Sequence, residues 1–299
     1  MLLADVLKEF LFEIKIRNYT PKTQKGYKNN NALFHNWLRN EYGIEELEEV
    51  THIHVKQYIT YLQQKGRKPT YINGILKNIR SFYEYCVSED YCMKNICKQV
   101  KWVKERTVII NTFTNDEVRG MLNYYKGADY LAVRNRCIIA LLGDTGIRNF
   151  ELCTLMVNDL GETAIKILGK GDKERYVYIS PMLKKYMIKY ERVKEMYFKN
   201  QNLKHANYFL SYRGKPLTTE GIERVVKLSG ENINREIRCS PHTLRHYFAQ
   251  AQLQNGLDVY SLSRLLGHEN ISITKRYLQG LQDKNIVEMS IKTSPLMNL

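Results

Sequence analysis

Long apolar runs are missing from this 299-residue chain. No stretch approaches the roughly 20 residues that cross a bilayer. The opening MLLADVLKEFLFEIKIRNY is broken by Asp5, Lys8, Glu9 and Glu13, which excludes the apolar core of a secretory signal. Cysteine is sparse. The six, at 86, 92, 97, 137, 153 and 239, include no C-x-x-C pair, and no His/Cys group has zinc-finger spacing. They read as reduced structural thiols, and with the absent signal they place the protein in the cytoplasm. Internal repeats and low-complexity tracts are also lacking. Acidic residues are in deficit, 31 against 46 Lys+Arg, for a formal charge of +15. The excess covers both parts of the chain: residues 1–106 carry 18 basic against 12 acidic residues, and 107–299 carry 28 against 19. A positive field of that extent suits a polyanion, with nucleic acid the leading candidate.

What is present begins with helices. Thr20-Pro21 and Lys68-Pro69 are helix starts, each with proline in the first turn. The first leads into Tyr27, Leu33, Phe34, Trp37 and Leu38 at helical spacing. The second leads into Ile72, Ile75, Leu76, Ile79, Phe82 and Tyr83. Their polar faces carry Lys22, Thr23, Lys25 and Lys28, then Arg67, Lys68, Thr70, Asn73, Lys77 and Arg80. Basic residues at helix starts dock phosphates through charge and backbone N–H together, so these ten are the expected DNA contacts, with a solvated helix face as the plain alternative. A charged segment near 101–112 separates this part from a second. There Thr114-Asn-Asp-Glu117 has capping-box spacing. Ala164–Leu168 and Arg175–Ile179, joined by Gly169-Lys-Gly-Asp-Lys, read as a β-hairpin. A long helix follows from Pro181.

The chemistry-bearing residues lie in this second part. Ser240-Pro241 opens a helix on which Leu244, Phe248 and Ala251 share one face. His242 and Arg245 take the opposite face, which is read as non-core and suited to an anion. His246 lies near His242 and is not separable from a packing residue. Arg148 opens another helix, and Glu151 three residues on either caps that helix or orients the arginine. Lys170 sits on the hairpin turn with Lys173 as its rival. His268 follows Gly267 at a helix exit, and Tyr277 comes nine residues later. Local packing is the plain reading of that last pair: a capping histidine and a core tyrosine. Together, however, two arginines, two histidines, a lysine and a tyrosine, with no carboxylate pair and no metal cage, match attack on a phosphodiester without a metal. Guanidiniums neutralise the growing charge. A phenol is a usable nucleophile once deprotonated, a lysine can protonate the leaving oxygen, and histidines can serve as base or donor.

Five segments, in order, resemble the motif boxes of the tyrosine recombinases, the family of phage and transposon integrases and the Xer proteins. They are Thr145-Gly-Ile-Arg-Asn-Phe-Glu-Leu, Gly169-Lys-Gly-Asp-Lys-Glu-Arg, His242-Thr-Leu-Arg-His, Leu266-Gly-His268 and Thr274-Lys-Arg-Tyr277. Residues 1–100 are similar to that family's helical core-binding domain, so the resemblance covers nearly the whole chain. It implies a mainly α fold with a small β-sheet, arranged as a two-domain C-shaped clamp around duplex DNA. The domains would be a SAM-like core-binding domain over 1–104, a linker over 105–112 and a mixed α/β catalytic domain over 113–299. It implies Arg148, Lys170, His242, Arg245 and His268 around the nucleophile Tyr277, a 3′-phosphotyrosyl intermediate, and no metal, ATP or other cofactor. It further implies double-stranded DNA as partner, a monomer free in solution that becomes a homotetramer on paired sites, and a tail over about 278–299 docking on a neighbouring protomer. Asn149-Phe150 is unusual in its box, and no arm-binding domain is expected.

Three rivals stand beside this reading. A zinc hydrolase using His242 and His246 lacks the glutamate its helix needs, since Thr243 stands there. A non-catalytic DNA-binding protein would not need the full set of groups. A nicking-and-resealing topoisomerase shares the chemistry but not the layout. Among recombinase roles, the tail after Tyr277 favours the integrase or transposase of a mobile element, with a Xer-type resolver of chromosome or plasmid dimers as the alternative.

Overall fold

The computed structural model describes residues 1–105, 110–169, 173–231, 233 and 238–280, with Gln279 and Gly280 described by their backbone only. Lys170 and most of the 278–299 tail lie outside the described residues. The chain divides into two compact units, Met1–Thr107 and Val108–Leu299. The described residues are mostly helical, with one small antiparallel sheet among them. Among the described residues no helix is long and apolar enough to cross a membrane.

The first unit is built from α1 (Leu3–Ile16), α2 (Pro21–Tyr42), α3 (His52–Gln64) and α4 (Pro69–Ser88). The α2 start forms as its sequence dictates: the Thr20 hydroxyl accepts from the Thr23 amide at 3.3 Å, Pro21 fills the first turn, and Gly43 ends the helix at φ +68°. The apolar stripes of α2 and α4 meet in the core, where Phe34, Leu38, Ile72, Ile75, Leu76, Ile79 and Phe82 are all buried. Asn31 donates to the Asn78 carbonyl, and the His35 ring lies 5.3 Å from that of Phe82. The same sequence offset links both pairs, so α2 and α4 run parallel. Their basic starts therefore emerge at one end of the unit.

Two of the expected DNA contacts are engaged elsewhere. Asn73 donates to the Val103 carbonyl at 2.9 Å and to Glu105 at 2.7 Å, and accepts from the Val103 amide at 2.9 Å. Arg80 donates to the carbonyls of Cys97 and Val100, with its guanidinium 4.3 Å from the Trp102 ring. Both clip the 97–105 segment onto α4. Lys22, Thr23, Lys25, Lys28, Arg67, Lys68, Thr70 and Lys77 are exposed.

In the second unit, α5 (Asn115–Tyr124) starts with the capping box: the Thr114 amide donates to Glu117 at 2.6 Å, and the Glu117 amide donates back at 3.3 Å. At the centre is α6 (Tyr130–Thr145). Ile138, Ile139, Leu141 and Leu142 are fully buried on all its sides, each contributing about 1.5–3 kcal/mol. Around it lie α7 (Asn149–Thr154), strands β1 (Ala164–Leu168) and β2 (Glu174–Tyr178), α8 (Pro181–Phe198), α9 (Thr219–Gly230) and α10 (Pro241–Gln254). Then come α11 (Val259–Leu266), α12 (Ile271–Lys275) and a final 3-10 turn, Arg276–Gly280. The strands pair from Ala164↔Tyr178 to Leu168↔Glu174. Ile110 and Thr112, which the sequence assigns to a linker, are held in this unit. Gln250 donates to the Ile110 carbonyl, and the Thr112 hydroxyl donates to the Thr243 carbonyl. Cys86, Cys97, Cys137 and Cys153 are buried, and burial pushes their thiols up, so they stay protonated.

Candidate active site

The site forms around the C-terminal end of α11. A helix end leaves its last carbonyls without intrahelical partners and carries partial negative charge. Here three successive carbonyls each receive a guanidinium. Arg175 donates to Leu265 at 2.9 Å, Arg245 to Leu266 at 2.6 Å and Arg148 to Gly267 at 2.9 Å. Gly267 permits this by adopting φ +63°, which turns the chain out of α11 directly into His268. Arg245 also donates to the Gly146 carbonyl at 2.6 Å, and Gly146 closes α6 in the same left-handed conformation at φ +61°.

Glu151 binds two of these arginines to each other. Its side chain is only 5% exposed. Arg175 reaches both oxygens, at 2.8 and 2.6 Å, and Arg148 reaches Oε1 at 2.8 Å. The Arg148 amide adds a bond to Oε2 at 2.7 Å, so capping and orienting are both performed. Burial alone would raise this carboxyl. Arg175 and then Arg148 more than offset it and hold it at about 2.

The sequence places the face of α10 that bears Arg245 outside the core. Instead Arg245 is 3% exposed, because the ends of α6 and α11 cover it with carbonyls. Burial and the nearby Arg148 lower its guanidinium to about 10. It also donates to His268 Nε2 at 3.1 Å. Arginine has no acceptor, so His268 Nε2 is unprotonated and Nδ1 carries the proton toward the Thr274 hydroxyl at 2.8 Å. Burial, then Arg245 and Arg148, hold this ring at about 4, in its neutral form.

Tyr277 is docked: 3% exposed, against Phe248, Ala249, Leu253, Leu262 and Leu266. The plain reading of a core tyrosine is thus correct for the ring. Its hydroxyl lies 2.8 Å from His246 Nδ1. Burial raises the phenol, while Arg245, Arg276 and Arg148 pull it back down, so it lies within electrostatic reach of the guanidinium cluster. His242 keeps part of its surface open while its ring packs 4.2 Å from that of His246. Burial and the neighbouring arginines lower both imidazoles, His246 to about 4.

A cavity of about 910 Å³ opens beside this cluster, lined by Arg148, Lys173, Arg175, Arg264 and His268, with Glu174 and Glu269 as its acidic members. Arg148, Arg245, His268 and Tyr277 are thus gathered into one place. Lys170 is not described, and the rival Lys173 lines the cavity. Among the described residues no group of His, Cys, Asp or Glu is arranged to hold a metal. Sequence reasoning missed Arg175, although a signal existed. Strand alternation puts Arg175 on the same inward face as Val177, and an arginine there needs a carboxylate. The sequence left His246 open between chemistry and packing, and only the fold shows its contact with the Tyr277 hydroxyl.

On a helical two-unit chain, the end of α11 thus brings a tyrosine and histidines beside a cluster of arginines. The chain belongs to the phage integrase family: that family's pattern matches residues 111–283, and the phage integrase N-terminal SAM-like domain matches residues 6–93. It is a tyrosine recombinase. Among its relatives, the tyrosine recombinase XerC of Staphylococcus carnosus is 30% identical over 275 residues, covering 91% of each chain. That of Listeria innocua is 32% identical over 266 residues, covering 87% of this chain and 88% of the relative. Solved structures share the fold. The XerH site-specific recombinase bound to a palindromic difH substrate has a TM-score of 0.74 at 20% identity, covering 95% of this chain and 83% of that one. The Tn1549 transposon integrase with transposon right-end DNA has a TM-score of 0.75 at 18% identity, covering 98% and 100%.

Proposed function

We propose that this protein is a Xer-type recombinase that resolves dimers of circular replicons by cutting and rejoining duplex DNA through Tyr277. The carrying observation is the gathering of Arg148, Arg245, His268 and Tyr277 at the α11 end, beside a cavity rich in cations. A backbone phosphate in that cavity supplies negative charge that offsets the arginines lowering the imidazoles. Arg148 and Arg245 then neutralise the pentacoordinate phosphorus. Attack by the Tyr277 oxygen, whose O–H proton passes to a neighbouring imidazole, forms the P–O(Tyr) bond and breaks the P–O5′ bond, leaving a 3′-phosphotyrosyl link. Lys170 or Lys173 of the hairpin protonates the departing 5′-oxygen. The exposed Lys22, Lys25, Arg67 and Lys68 at the paired starts of α2 and α4 take further phosphates of the same duplex. Assembly is a tetramer on two paired sites.

The sequence alone leans toward a mobile-element integrase, on the strength of a tail that lies outside the described residues. The relatives named XerC favour the Xer role. The transposon integrase shares the fold at an identity too low to carry a role. Two experiments test the proposal. On a nicked suicide duplex built from the site selected out of a random-sequence pool, wild type traps a covalent adduct and Tyr277→Phe binds without trapping. An adduct that persists in Tyr277→Phe overturns the nucleophile. Mapping adducts across the host genome should give one locus at the replication terminus, and adducts at the ends of a mobile element would overturn the Xer role.

A further inference from the structure

We infer that His246 is a further catalytic residue: its Nδ1 receives the Tyr277 proton as the phenol attacks phosphorus. This rests on the reading of Tyr277 as nucleophile. The contact is direct, since Nδ1 lies 2.8 Å from the phenolic oxygen, and the rings are 5.4 Å apart at 57°. No other described titratable side chain has a hydrogen bond to that oxygen. His242 and His268, the histidines singled out by the family resemblance, are engaged differently: one packs on His246 and the other is held between Arg245 and Thr274.

The groups facing His246 explain why it waits unprotonated. They are His242 and Arg245 on its own helix, Arg276 on the final turn and His268 after α11, all of which disfavour a positive imidazole. In the free protein the ring is therefore neutral, and in its Nε2–H tautomer Nδ1 accepts from the phenol. A bound phosphate offsets those cations, so the imidazolium becomes stable only when substrate is present. The step balances without a co-reactant: the O–H bond of Tyr277 breaks, its proton goes to Nδ1, P–O(Tyr) forms, and P–O5′ breaks with a proton from the hairpin lysine. When a 5′-hydroxyl returns in the reverse step, His246 gives the proton back to the leaving phenol.

The test uses the full-length protein, the same suicide duplex and saturating protein, with adduct formation followed in a single turnover. His246→Asn places an amide where Nδ1 stood, so it keeps the hydrogen bond but cannot take the proton. The expected result is an adduct rate at least about 100-fold lower, unchanged DNA affinity, and loss of the acid limb that wild type shows as pH falls. A 5′-bridging phosphorothiolate, whose leaving sulfur needs no proton, should restore a lysine variant of the hairpin and leave His246→Asn slow. His246→Gln, which moves the amide away from the Nδ1 position, serves as a second variant with the same expected loss. A rate for His246→Asn within about threefold of wild type, or its rescue by the phosphorothiolate, overturns the assignment while leaving Tyr277 as nucleophile. A wild type that forms no Tyr277-dependent adduct overturns both.

Discussion

Glu151 shows how much one residue decides. It joins Arg148, which faces the cavity, to Arg175, which grips α11. Its carboxyl stands at about 2 in the fold against an ordinary 4.5. A depressed acid stabilises the fold above its ordinary range, and that contribution disappears as pH falls toward the folded value. Glu151→Gln should therefore cost on the order of 3 kcal/mol at pH 7. The gap to wild type should narrow below pH 4.5 and close near pH 2, as read by denaturant melts across that range. An equal gap at pH 7 and pH 3 would show that the charge does not matter. The sequence presented Glu151 with two roles open. The structure assigns both to it, because its two oxygens face different parts of the same arginine.

At the scale of the element, the end of α11 is what makes the site. The exit at Gly267 was legible, since a glycine closing an apolar helical run marks a left-handed cap. That its last three carbonyls would each hold a guanidinium was not, because the donors arrive from α7, β2 and α10. A Cβ on Gly267 would meet the Arg175 side chain at 3.0–3.2 Å in a conformation that L residues rarely adopt. Gly267→Ala is thus expected to lose about 1–2 kcal/mol in thermal melts. It should also cut adduct yield by more than tenfold while DNA retention in gel shifts persists, because the displaced carbonyl holds Arg148. Wild-type adduct yield in this variant would show that the α11 end does not set the arginine geometry.

For the whole molecule, the charge of +15 extends over both units, but not every cation is free. Lys22, Lys25, Arg67 and Lys68 are exposed at adjacent helix starts, whereas Arg80 is bound to main-chain carbonyls. Changing those four to alanine should weaken DNA binding and flatten its log–log salt dependence by about 0.9 for each phosphate that is no longer neutralised. Fluorescence anisotropy over a potassium chloride series reads both effects. Arg80→Ala should instead lower the melting temperature and leave the salt slope unchanged. A slope unaltered by the fourfold change would remove this end of the first unit from the DNA interface.

Many of the helix starts, their caps and the chemical inventory were legible in the residues alone, because a cap depends on residues within a turn or two of each other. Thr20-Pro21, Thr114–Glu117 and Ser240-Pro241 close their own hydrogen bonds locally. Which polar groups meet depends instead on how the helices pack. Arg148 reaches a carbonyl 119 residues away, Arg245 one 99 away, and His246 a phenol 31 away. Each of those bonds exists because packed apolar faces bring distant helix ends together, and no local spacing encodes that meeting.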